Sequence, residues 1–329
     1  MTTETHAAGP PVGRHRQLTI AVLTYKRPRD VAEVLPLLVR QGELVSGKTL
    51  DVEVTVIDND PAQGALTFVR GFGTHADGPV KVRYEHEPVP GISAARNRAL
   101  RTSGGSDLLV FIDDDERPSE RWLPELLATF DRYQPTAVVG PVVSTFDVPP
   151  SDWVMKGGFF TRRSLPTGAP VQVAATNNLL LDLAEVRRCG LWFDLDFGIT
   201  GGDDTMFTRQ LVAAGGQIVW CAEAVVTDVV PAERTTRRWA VLRALSSGNS
   251  WSLVALKLQP SVRHRITERA KLTVRGVIRT AGGCVRALAG YATGRTAWQA
   301  KGVRTAARGI GMVLGAYGYG YKEYRRKDG

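Results

Sequence analysis

Apolar residues along the chain come in short unbroken runs that end abruptly in polar clusters. Residues 18–23 run into Thr24-Tyr25-Lys26-Arg27-Pro28, residues 52–57 into Asp58-Asn59-Asp60-Pro61, and residues 108–112 into Asp113-Asp114-Asp115. Runs of this length predict buried strands, and the alternating stretch 80–84 predicts a half-exposed one. Helix-period segments fill the gaps at 30–41, 65–72, 93–102 and 119–133, the last with Ser119 as its N-cap. Apolar strands alternating with helices predict an α/β fold around a parallel sheet covered on both faces. Ligands of such sheets bind beyond the carboxyl ends of the strands, so the polar clusters at these exits are expected to form one site.

After residue 134 the rhythm changes. Stretches 138–143 and 171–174 read as strands, separated by an irregular Pro/Gly/Trp-rich segment, 149–170, of the length of a functional loop. Helices are expected at 182–189 and 204–214, the second ended by Gly215-Gly216. From Val262 on, apolar residues recur at Ile266, Ala270, Val274, Val277, Ile278, Ala281 and Val285. Arg265, Arg269, Arg275, Arg279 and Arg286 fall mainly elsewhere on the wheel. That pattern fits a basic helix lying on an anionic membrane, with the tyrosines at 317, 319 and 321 as interfacial contacts. It fits equally a helix packed on its own domain with a solvated basic face.

Composition narrows the class. The chain has 329 residues, 43% hydrophobic and 23% charged, a globular balance that excludes a collagenous or wholly disordered protein. Its net charge of +9 is uneven, because from residue 260 on there are fifteen Lys or Arg against three acids. The basic surplus therefore belongs to the tail. No sheet of basic and aromatic residues accompanies it, and no nucleic-acid partner is expected. Three scattered cysteines (Cys189, Cys221, Cys284) point to reduced thiols and a cytoplasmic protein. Residues 1–17 lack the apolar core of a signal peptide and are expected to be disordered, and no stretch is long and apolar enough to span a membrane.

Three adjacent carboxylates directly after a buried strand repel one another, and hard oxygen donors on a rigid strand exit suit Mg²⁺ or Mn²⁺. A solvated acidic turn is the alternative. The order of the motifs then adds information. Residues 18–28, Val56-Ile-Asp-Asn-Asp60, Gly91-Ile-Ser-Ala-Ala-Arg-Asn97, Phe111-Ile-Asp-Asp-Asp115 and Gly201-Gly-Asp-Asp-Thr205 together resemble the family 2 glycosyltransferases. Arg234–Trp239 and the Tyr-rich end resemble their exopolysaccharide, succinoglycan-assembly branch.

The resemblance implies a GT-A fold over residues 18–240, with a nucleotide-donor half (18–134) and an acceptor half (135–240), followed by the basic helical tail (241–329). It implies that Thr24, Tyr25, Arg27, Asp58, Arg96 and Asp114 bind the donor nucleotide. Asp113 and Asp115 would hold the metal, and where many relatives carry a histidine ligand either Asp228 substitutes or the ligand is missing. Asp204 would be the base that deprotonates an acceptor hydroxyl, and Asp203 its partner. An N-cap role for Asp203 stays open, as does a role for Arg96 in covering a helix face. Asn177 and Asn178 either hold sugar hydroxyls or form an Asx turn. Arg238 and Trp239 either meet the diphosphate and a sugar or begin a solvent-facing helix.

The expected activity is inverting transfer of a sugar from a nucleotide diphosphate, a UDP-sugar first, to a lipid-linked or polysaccharide acceptor at the inner face of the membrane. The alternatives are a soluble small-molecule acceptor, or a non-catalytic membrane or nucleic-acid binder built on a degenerate transferase domain.

Overall fold

The computed structural model describes residues 15–321, apart from 75–77 and 199. The disorder expected of residues 1–14 lies outside this range, while Arg16 and Gln17 already belong to the first strand.

The first half is a succession of strand and helix: β1 (Arg16–Thr24), α1 (Pro28–Glu43), β2 (Leu50–Asp58), α2 (Leu66–Thr74), β3 (Lys81–His86), α3 (Ile92–Thr102), β4 (Leu108–Asp113), β5 (Glu116–Pro118) and α4 (Trp122–Tyr133). The second half brings β6 (Ala137–Val139), β7 (Val142–Phe146), α5 (Asp152–Gly157), β8 (Pro170–Val171), β9 (Asn178–Asp182), α6 (Leu183–Arg188), α7 (Asp203–Ala213), β10 (Ile218–Trp220) and β11 (Val226–Val230). Three helices close the chain: α8 (Arg237–Lys257), α9 (Val262–Ala292) and α10 (Thr296–Ala316). A continuous helix therefore crosses residue 240, where the sequence suggested a domain border.

Eight strands form the main sheet in the order β3-β2-β1-β4-β9-β6-β10-β8, and β5-β11-β7 form a small second one. The expected parallel sheet holds for β3 to β4, but β9 runs antiparallel between β4 and β6. The order turns back between β1 and β4, the point in an open α/β sheet where a crevice opens at the strand ends. Apolar side chains cover both faces. One core gathers Val34, Leu38, Val54, Val110, Trp122 and Leu126 under α1 and α4. The other gathers Ala95, Phe111, Leu181, Phe193 and Phe207 under α3 and α7.

Three local expectations are corrected. Ser119 does not cap α4, which starts three residues later behind Arg121, because the Ser119 amide is bound to the Val225 carbonyl beside β11. Residues 138–143 are two strands in two sheets, since Gly140-Pro141 breaks the ladder and steers the chain across. A Cβ at position 140 would come within 2.2 Å of the Ala224 carbonyl, so only glycine allows this crossing. The strand expected at 171–174 shrinks to Pro170–Val171.

Candidate active site

Register brings the strand exits together: Leu23 lies opposite Asp113 across β1 and β4, and Thr24 opposite Asp58 across β1 and β2. The loop after β1 is fastened to the middle carboxylate of the triplet. Thr24 Oγ1 donates to Asp114 at 2.7 Å and Arg27 Nη1 to its other oxygen at 3.0 Å. Arg27 also reaches Asp115 at 2.6 Å. Burial pushes the Asp114 carboxyl up to about 6 against the opposing pull of Arg27. Asp113 is pushed up to about 7, by burial first and by Asp115 and Asp114 after it, with Arg96 opposing.

The small sheet adds two further acids. Asp228 of β11 stands opposite Glu116 of β5, and Asp115 contributes to raising its pKa after burial. Arg162, from the irregular segment, pairs with Asp228 at 3.2 Å, and Arg234 lies 3.5 Å from Asp115. Glu116 is buried and its pKa is raised well above the usual range, first by burial and then by Asp113. It accepts from the Asp113 amide at 3.1 Å and from the Asn177 side chain at 2.5 Å. No local pattern marked Arg162, whose partner is distant in sequence, and Glu116 follows the acidic triplet directly but is joined to Asn177 and Asp228 only by the fold.

The second acidic pair arrives on α7. Gly202 precedes it at φ +100°, a backbone state that residues with a Cβ rarely adopt, and this turn sets Asp203 and Asp204 in the first helical turn. The buried guanidinium of Arg96, from α3, is in direct contact with the Asp203 carboxylate. Burial raises Asp203 and Arg96 opposes it, while Arg96 also feels Asp204 and Asp113. One arginine thus links the acids of the β4 exit to those of α7. Asp204 is half-buried and accepts from the Thr205 amide at 2.6 Å.

Several expected site residues hold the scaffold instead. Asp58 accepts from the Asp60 and Ala65 amides and the Tyr84 hydroxyl, at 2.9, 3.1 and 3.0 Å, so its carboxylate orders the loop after β2. Asn178 is fully buried: it accepts from Trp122 Nε1 at 2.8 Å and donates to the Ala224 and Pro141 carbonyls, so no sugar reaches it. Trp239 stacks on Phe160, with centroids 6.0 Å apart, and Arg238 is exposed at the start of α8. The arginine of that segment that reaches the acids is Arg234. Arg96 meets a carboxylate rather than an open crevice. Tyr25 is half-buried at the β1 exit, beside the Lys26 ammonium.

The residues present fit a hard divalent cation. Among the described residues no three acids converge into a complete cage. Asp113 and Asp115 still offer all-oxygen ligands at a rigid exit, the arrangement of a cation that completes its shell with water and phosphate. Arg27, Arg234 and Arg162 balance Asp115 and Asp228 electrostatically. Among the described residues, the buried Thr176 Oγ1 and the Oδ1 of Asn177, whose amide donates to Glu116, have no hydrogen-bond partner.

Comparison with known proteins bears on this arrangement. The family model described as "Glycosyl transferase family 2" matches residues 19–181. The succinoglycan biosynthesis protein ExoM of Rhizobium meliloti is 34% identical over 233 residues, covering 71% of this chain and 73% of that protein. Among solved structures, the mannosyltransferase PcManGT from Pyrobaculum calidifontis, in complex with GDP-Man and Mn²⁺, is similar with a TM-score of 0.58 at 16% identity, over 92% of this chain and 88% of that one. S. aureus TarS 1–349, in complex with UDP-GlcNAc, is similar with a TM-score of 0.51 at 13% identity, over 88% and 90%. These two likenesses show a shared GT-A fold.

Proposed function

The chain belongs to glycosyl transferase family 2 and is a glycosyltransferase, and from that premise we propose the reaction its crevice performs. The donor is a nucleotide diphosphate sugar, a UDP-sugar first. The acceptor is a hydroxyl of a lipid-linked or growing saccharide in exopolysaccharide or cell-surface glycan assembly, met at the inner face of the membrane. The observation that carries the reading is the meeting of Asp113 from the β4 exit with Asp203 and Asp204 of α7 around the buried guanidinium of Arg96.

In this reading Asp113 and Asp115 hold Mg²⁺ or Mn²⁺, with Asp228 close by. The bound cation supplies Lewis-acid stabilisation of the departing diphosphate. Thr24, Tyr25 and Arg27 line the nucleotide pocket, and Arg27 and Arg234 turn from carboxylate to phosphate, a partner their guanidinium forks suit equally well. Arg96 fixes Asp203 and opposes the rise that burial imposes on its pKa. Asp204 remains to take the proton of the acceptor hydroxyl, which attacks from the face opposite the leaving group and inverts the anomeric carbon. Asn177 donates to Glu116 and fixes that carboxylate beside Asp113.

The test is calorimetric titration of the full chain with UDP, GDP and dTDP, with and without Mn²⁺, in parallel with Asp115→Ala. One nucleotide is expected to bind in a metal-dependent manner, with that dependence lost in the variant. Metal-independent binding of equal strength in both proteins would remove the basis of the reading.

A further inference from the structure

Helices α8, α9 and α10 pack by backbone contact rather than by large side chains. A Cβ added at Gly283 of α9 would lie 2.4 Å from the Ala306 amide of α10, and one at Gly311 of α10 would lie 2.0 Å from the Leu245 carbonyl of α8. The face of α9 turned to α10 therefore consists of Leu272, Gly276, Gly283, Ala287 and Gly290, all buried. The larger apolar residues of α9 lie on another face. Val274, Val277, Ile278, Val285 and Leu288 are 54–68% exposed. This stripe continues across a shallow apolar groove onto Ile310, Val313 and Leu314 of α10. Contiguous aliphatic surface on a helix already packed elsewhere calls for a partner.

The neighbouring charges select the partner. Residues 262–316 carry eleven Lys or Arg and a single acid, Glu268. Among the described residues, the one ion pair within α9 and α10 is Lys271 with Glu268 at 4.0 Å. Arg275, Arg279 and Arg286 are exposed on the flank beside the stripe, and Arg279 and Arg304 both lower the pKa of Arg308, after burial, by repulsion. A second copy docked stripe to stripe would set these cations against their own kind. Anionic headgroups would neutralise them while acyl chains cover the aliphatic residues.

We propose that α9 is a monotopic docking face for an anionic lipid bilayer, lying in the interface plane with the stripe from Val274 to Leu288 in the acyl boundary and Arg275, Arg279 and Arg286 at the phosphates. The docked face is tied to the crevice. Arg304 of α10 bonds the Gly158 carbonyl, and four residues further on Arg162 holds Asp228. A bilayer bound to α9 thereby sits at a fixed distance from the acidic site. The surface stands on its own geometry and does not depend on the donor reading.

The full chain tests this by flotation with vesicles of phosphatidylcholine alone or with 30% phosphatidylglycerol. Cys284, exposed on α9 one turn from both Ala281 and Leu288, takes an environment-sensitive label in a Cys189→Ser background. The expected results are binding at least about tenfold stronger to anionic than to neutral vesicles, weakened by salt, and a blue shift of the label. The pair Ile278→Ser and Leu288→Ser should lower partition about tenfold or more. The triple change Arg275→Gln, Arg279→Gln, Arg286→Gln should remove the preference for anionic lipid. Nucleotide titration of each variant should match wild type, which separates failure of this face from failure of the donor site or of folding. A wild-type chain that stays unbound with anionic vesicles overturns the proposal. So does a dimer in sedimentation that the stripe variants dissolve, or charge-dependent binding of RNA with no flotation.

Discussion

Arg96 organises the crevice at the scale of single residues, because one buried cation sits among Asp203, Asp204 and Asp113. Arg96 makes its direct ion pair with Asp203, and among the described residues Asp204 has no direct ion pair of its own. Asp204→Asn is expected to keep donor affinity and to lower turnover by about 10²–10⁴-fold, the range of a lost general base, measured as nucleoside diphosphate release with a saccharide acceptor. A second expectation concerns pH. With its pKa raised to about 7, Asp113 holds a proton in the folded chain over a range where the unfolded chain has released it. Its contribution to stability is therefore full at low pH and declines as pH rises through that window to about 7. Cation binding needs the ionised form, so affinity for Mn²⁺ with nucleotide should rise by up to about tenfold per unit below about pH 7 and level off above it. Calorimetry from acid to neutral pH, compared with Asp113→Asn, reads this slope.

Elements decide which acids meet. The stop at Gly140-Pro141 sends the chain from the main sheet to the small one, and β11 then lays Asp228 beside Glu116. Asn178 locks that joint with three hydrogen bonds at 2.8, 2.8 and 3.1 Å. Asn178→Ala would leave Trp122 Nε1 and the Ala224 carbonyl buried and unpaired. The expected cost is about 2–4 kcal/mol, seen as a lower urea midpoint, together with weaker cation binding as the two sheets loosen. A merely sugar-binding asparagine would lower acceptor affinity and leave the midpoint unchanged.

The whole molecule is a doubly covered sheet with a helical platform joined at one side. α10 is the centre of that platform, in contact with α8, α9 and α5. Gly283→Leu would drive a side chain into the α10 backbone. A loss of about 1–3 kcal/mol in the platform is expected, read as faster amide exchange in α9 and α10, with nucleotide binding unchanged.

Residue order alone determined the strands of the first half and the acidic and polar clusters at their exits, because a buried strand declares itself by a local apolar run. It also carried the motif order that marks the family, and the amphipathic basic helix of the tail. Tertiary structure decided which clustered residues face the crevice. Asp58 and Asn178 have the right type and position for ligand contact, yet their polar atoms are held by amides, carbonyls and an indole from elsewhere in the chain. Glu116, Arg162 and Arg234 enter the site through strand register and segment packing, which no local pattern encodes. The same holds for the tail. Its periodicity is local, but whether the apolar stripe is covered depends on which face glycine and alanine allow a neighbouring helix to approach, and that contact joins residues as distant in sequence as Gly276 and Val313.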